Sequence, residues 1–283
     1  MSRFFYLSII LILNLSYIYA TTCNDVNACN KGSSGQCMYV TGTKWCNQNQ
    51  GQCVDMQTCL DNASCGNNIF LPSDPPSAPA PIRIRTGVTI QRTNSSGTPI
   101  SSANSSVGGF ENGIIIDVNN PNSRTSCGAG QLDITLKGLD IQGSSKNGDN
   151  GILIAGPSSC GSRNCQEIDE ILVSNSTISG DDAVDWRDGN IHSTGIRTSN
   201  QNVSILSFNI EGTTIQDFAT GIKYFGETSS SQTRTNVIHV IGGSSSKKNK
   251  FLNNSVHLDY PNFNITHSRG SLNAKYNRWD GLD

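Results

Sequence analysis

Apolar positions in this chain come in short runs that alternate with polar ones and are broken every few residues by Gly, Asn or Ser. Three runs superimpose: "ITLKGLDIQG" from Ile134, "ILVSNSTISG" from Ile171 and "VSILSFNIEG" from Val203. Each has apolar residues at its first and third positions, a small or polar residue at the fifth, one or two further apolar positions and a final Gly. Alternation with period two puts successive side chains on opposite faces of a strand, so each run predicts two short strands meeting at a bend. The copies recur after 37 and then 32 residues. A "G-I-x-x" run follows two of them, "GILI" at 151 and "GIKY" at 221.

One such strand cannot bury its apolar face alone, whereas stacked copies can, which is the logic of a solenoid. No segment has the apolar period of an amphipathic helix, so an all-β, right-handed parallel β-helix is expected rather than a leucine-rich or helical repeat. An antiparallel sandwich is the rival architecture, but its turns would be shorter and its strands more evenly spaced. Asn at predicted corners, in "SNST" and "FLNNS", suits the side-chain ladders of stacked coils.

The first residues change the setting. "MSRFFYLSIILILNLSYIYA" has one Arg, an apolar run from Phe4 to Leu13 and a small residue at Ala20, the pattern of a secretory signal peptide over residues 1–20. Its apolar core is shorter than the roughly 20 residues of a bilayer span. All ten cysteines follow it: Cys23, Cys29, Cys37, Cys46, Cys53, Cys59, Cys65, Cys127, Cys160 and Cys165. In a secreted, extracellular chain these predict disulfides. Zinc is the alternative, but none of the first seven forms a C-x2-C pair and His is distant.

Residues 21–71 hold seven of the cysteines and few large apolar residues, and read as a small N-terminal disulfide-rich module. Its odd cysteine can pair with Cys127, since Cys160 and Cys165 are close enough to close a small loop with each other. Residues 72–81 are a Pro-rich linker, and residues 82–283 the β-helix. Seven sequons, at Asn62, Asn94, Asn104, Asn175, Asn202, Asn253 and Asn264, suit a glycoprotein. A net charge of −2 without a basic run excludes nucleic acid as the expected partner.

The repeats resemble the right-handed parallel β-helix of the pectin-lyase-like superfamily, and "NAKYNRWDG" at 273–281 is similar to the N-A-x-x-N-x-W-G endings of extracellular β-helix proteins. Within that superfamily the order of polar motifs most resembles the polygalacturonases, inverting glycosidases of pectic chains. Their pattern runs N-T-D-G-I-x-I, V-x-N-x-x-I, G-D-D, G-H-G and R-I-K. Here "NGDNGILI" supplies Asp149, "LVSNSTISGDDAV" supplies Asp181 and Asp182, "GNIHSTGI" supplies His192 and "GIK" supplies Lys223. The resemblance implies Asp182 as general acid, Asp149 and Asp181 holding the attacking water, His192 tuning the acid and Lys223 binding a substrate carboxylate.

The chemistry suits those residue types. Inverting hydrolysis needs two carboxyls roughly 6.5–9.5 Å apart. Acids on neighbouring coils are close to that span, because stacked strands lie about 4.8 Å apart. The departures are specific: Asn150 follows Asp149 where the family has Gly, His192 sits in "IHS", and the family Arg is Gly221. Carboxylate binding then falls to Lys223 alone, a point charge in place of a planar fork. The blander alternative is that "GDN" and "GDD" are corner sequences, since Asp and Asn accept bonds from turn amides.

The stretch "SGDDAVDWRDGNIHSTGIR", residues 179–197, turns on register. Only "AVDW" or "GIRT" can take the place held by "GILI" and "GIKY" in other coils. Trp186 offers a ring for stacking on sugar, or fills the interior, since it alternates with Val184. A calcium-dependent lyase is a weaker alternative that Asp181, Asp182, Asp185 and Asp188 could serve, although an R-x-P-x-x-R segment is missing. No cofactor or resident metal is expected. Two functions remain: a polygalacturonase-like glycosidase of extracellular polysaccharide, or a non-catalytic wall or cell-surface adhesion module that binds glycan, with a protein partner at the open C-terminal end.

Overall fold

The computed structural model describes residues 44–47, 52–61, 63–71, 80–92, 110, 112–117, 127, 132–144, 148–156, 168–180, 193–199, 205–225, 238–242, 244–260 and 271–279. Strands β1 (Lys44–Asn47) and β2 (Gln52–Asp55) form an antiparallel pair, followed by helix α1 (Met56–Asp61). Every other strand is in a parallel sheet.

The seven-stranded sheet contains β3 (Asn67–Leu71), β5 (Val88–Arg92), β7 (Asp133–Lys137), β10 (Ile168–Ser174), β13 (Ile205–Glu211), β16 (Ile238–Ile241) and β19 (Ser271–Asn273). The five-stranded sheet contains β8 (Asp140–Gln142), β11 (Thr177–Ser179), β14 (Thr214–Gln216), β17 (Asn249–Leu252) and β20 (Asn277–Trp279). The six-stranded sheet contains β4 (Ile82–Ile84), β6 (Ile114–Ile116), β9 (Asn150–Ile154), β12 (Thr194–Thr198), β15 (Thr220–Lys223) and β18 (Val256–Asp259). The chain visits the three sheets in turn and returns one strand further along each, a parallel β-solenoid with the sheet arrangement of a β-helix.

Register stacks like upon like. In the five-stranded sheet Ile141, Ile178, Ile215, Phe251 and Trp279 form one column, closed by Trp279 stacked on Phe251 at 4.6 Å. In the six-stranded sheet Ile114, Ile152, Ile196, Ile222 and Leu258 form another. All but Leu258 and Trp279 are fully buried, and each buried Ile contributes about 1.5–3 kcal/mol of transfer free energy.

The repeat itself needs correcting at its third copy. Ile171 pairs with Phe208, so the unit after "ILVSNSTISG" is "FNIEGTTIQD" from Phe208, and the spacing is 37 residues twice. Gly212 is therefore the corner residue matching Gly138 and Asn175, at φ 59°, and not the final Gly of the unit. That final position is held by Asp217, at φ 62°, a left-handed conformation that Asp tolerates better than most residues.

The corner from the seven- to the five-stranded sheet is wired coil to coil. Leu139 N–H donates to Ser176 Oγ (3.1 Å), Ser176 N–H to Thr213 Oγ1 (3.4 Å) and Thr213 N–H to Asn249 Oδ1 (3.0 Å). Asn249 and Asn277 return their amides to the carbonyls of Ile210 and Ile241. Buried corner amides are thereby satisfied by side chains where strand pairing stops.

The strand Asn67–Leu71, which the sequence placed in the cysteine-rich segment, is the first strand of the long sheet, and Met56 and Leu60 of α1 belong to the same buried core. Cys65 is bonded to Cys127, the pairing open to the odd cysteine, with Thr86 Oγ1 within 3.3 Å of both sulfurs. Closing 62 residues of chain restricts the unfolded state by about 4 kcal/mol in the chain-entropy account. Cys160 and Cys165, and the cysteines before residue 44, lie outside the described residues, as does the signal-like segment. Among the described residues no helix is long and apolar enough to cross a membrane.

Candidate functional site

The place of the "G-I-x-x" run is settled by pairing. Ile196 aligns with Ile152 before it and Ile222 after it, so "GIRT" is the strand β12 and "AVDW" is not. Asp181, Asp182, Trp186 and His192 lie outside the described residues, between the last strand of the five-stranded sheet in that coil, β11, and β12.

Register explains the glycines that begin these strands. Gly151, Gly195 and Gly221 are stacked, and a Cβ on Gly195 would meet the carbonyl oxygen of Gly221 and the side chain of Ile215, both at 2.5 Å. The column lets the corner close over the isoleucines of the five-stranded sheet. It also fixes the residue two places on: Leu153, Arg197, Lys223 and Asp259 follow one another up the outer face of the six-stranded sheet.

Asp149 sits at the matching corner one coil earlier, at φ 59°. Its backbone ties two coils: its N–H donates to Ser144 O (2.9 Å), and its carbonyl accepts from Thr194 N–H (3.0 Å). Its half-buried carboxylate accepts no side-chain bond among the described residues. Asn150, the departure from the family Gly, turns its amide back to Gly148 O at 2.9 Å and is buried.

Lys223 was expected to act alone on a carboxylate, and the structure gives it two neighbours. Its Nζ lies 3.0 Å from Asp259 Oδ2, an ion pair about one-third exposed. Arg197, in register one coil before, brings its guanidinium to 5.6 Å from the centre of the Phe225 ring, and Lys223 Nζ lies 5.3 Å from the same ring. Both cations stand over one aromatic ring. Arg197 Nε is buried without a hydrogen-bond partner, and among the described residues no carboxylate lies within ion-pair distance of this side chain. Arg197 is 26 residues from Lys223 in the chain, so only the β12–β15 register reveals them as neighbours.

Among the described residues, no three metal-ligating side chains converge. Comparison with protein-family models, with curated proteins and with solved structures finds no match.

Proposed function

We propose that this is a secreted, right-handed β-helix protein of pectin-lyase-like kind that binds an extracellular acidic polysaccharide across the outer face of the six-stranded sheet. The observation that carries this reading is Arg197 beside Lys223 over Phe225, one coil from Asp149. A guanidinium presents a planar fork that matches a carboxylate, and among the described residues Arg197 has no carboxylate partner of its own. Phe225 offers the apolar face. Hydrolysis is the sharper form of the same reading, with Asp182 as acid and Asp149 with Asp181 holding water, His192 tuning the acid and Trp186 contacting sugar.

The non-catalytic adhesion module is the second reading. It is favoured by Lys223 being neutralised by Asp259 and by Asp149 serving as a left-handed corner residue. In it, a partner protein adds to the open edges of β18, β19 and β20, each the last strand of its sheet among the described residues.

One set of measurements separates these readings. Polygalacturonate binding by the wild type, about tenfold weaker in Arg197→Ala, supports the first. Reducing-end release by the wild type and none by Asp182→Asn supports hydrolysis, while absence of release in both leaves binding alone. No polygalacturonate binding by the wild type sinks the acidic-polysaccharide reading.

A further inference from the structure

The seven-stranded sheet carries a groove of about 520 Å³ on its outer face, away from Arg197 and Lys223. Its floor is one register column, in which Leu172 and Val240 flank Asn209 on successive coils. Glu170 stands on one side of that column and Glu211 on the other. The far wall, with Ser244 and Lys247, exists because the corner between β16 and β17 is longer than the two-residue corners of the preceding coils.

The polar groups are held before any ligand arrives. Asn209 Nδ2 donates to Glu170 Oε1 (2.6 Å) and to Ser207 Oγ (3.0 Å), and Lys247 Nζ lies 2.6 Å from Glu211 Oε1. Such fixing lowers the ordering cost of binding. Both donors of the Asn209 amide are then used, leaving its Oδ1 as an acceptor, and each carboxylate keeps further acceptor positions.

The charges narrow what can fit. Asp133 precedes Glu170 in the same column, and its carboxyl is raised above the ordinary range by burial and then by the charges of Asp169 and Glu170. A polyanion is repelled there. The acids do not converge on a metal-sized point, and Lys247 in the wall opposes an organic cation. What fits an apolar floor edged by acceptors and one ammonium is an uncharged molecule with an apolar face and many hydroxyls.

We propose that this groove binds an uncharged saccharide, one ring face resting on Leu172 and Val240, with hydroxyls donating to Glu170, Glu211 and Asn209 Oδ1 and one accepting from Lys247. It does not rest on the acidic-polysaccharide reading, because the two surfaces carry opposite charge.

The full secreted chain is titrated calorimetrically with cellohexaose, laminarihexaose, mannohexaose and, as a charged control, hexalysine. At least one neutral hexasaccharide binds the wild type. Leu172→Glu abolishes that binding and Asn209→Ala weakens it about tenfold, while polygalacturonate binding and the thermal midpoint stay as in the wild type. Both positions face outwards, and Lys247→Ala, also expected to bind more weakly, provides an independent variant should either fail to fold. The inference is overturned if no neutral probe binds, if the folded variants bind as the wild type does, or if hexalysine alone binds.

Discussion

Two corners of each coil do the same geometric task by different means. In the three coils that begin at β7, β10 and β13 the chain turns from the seven- to the five-stranded sheet in two residues, Gly138–Leu139, Asn175–Ser176 and Gly212–Thr213, and side-chain bonds join each turn to the next, whereas the corner from β16 to β17 spans residues 242–248. From the five- to the six-stranded sheet the turn is three residues long after β14 and after β17, and much longer after β8 and β11. In those three coils the first corner is a fixed hinge. The other varies in length, the glycine column letting β9, β12 and β15 re-enter the stack, and Asp149 and the 181–192 stretch fall there. In these coils the corner wired by side-chain bonds and the corner that varies in length are thus different ones.

The comparison breaks most readily at the point where the tolerant corner ceases to be tolerant. A Cβ on Gly180 would lie 1.9 Å from Asp217 O, a backbone atom that cannot move aside. Gly180→Ala should therefore cost about 3 kcal/mol or more, read as a lowered urea midpoint, and a midpoint near the wild type would show that the corner relaxes.

Acid tests the seven-stranded side without a mutation. His239, on β16, is fully buried among the rings of Phe208, Tyr224 and Tyr260, and burial lowers its pKa from 6.5 to about 4. The unfolded chain binds this proton at a higher pH than the folded chain does. Stability is therefore full above pH 6.5, declines as pH falls from there, and has lost this contribution by about pH 4. The loss is about 3 kcal/mol, and His239→Phe should flatten that part of a stability-against-pH curve.

Thr213→Val should cost about 2 kcal/mol, because it leaves the Ser176 amide without its buried acceptor, and calorimetry of the variant measures it. Asp149→Asn should change stability by less than about 0.5 kcal/mol, since the side chain makes no bond among the described residues and Asn also tolerates positive φ. If Asp149→Asn proved as costly as Thr213→Val, the division between the two corners would fail.

Much of this was legible beforehand, and the exceptions have physical causes. Period-two alternation located the strands around Ile134 and Ile171, and "G-I" marked the six-stranded sheet, because only Gly fits the close approach there. The third copy was misplaced because Gly212, the left-handed corner residue, looked like a terminal glycine, whereas the terminal position of that copy is held by Asp217. Strand β3 was hidden among cysteines, its pairing being visible only against β5. Of the site, Lys223 could be named from sequence, but Arg197 and Asp259 could not, since what relates them is register between coils and not distance along the chain.

The wired corner also has a direction. Leu139 waits for Ser176, Ser176 for Thr213 and Thr213 for Asn249, so every amide is completed by a residue translated later. In a chain that folds from its N-terminal end, each of these three corners would stay unsatisfied until the next coil is in place. Growth of the stack and completion of its hydrogen bonds therefore travel together, from the disulfide-anchored end towards Trp279.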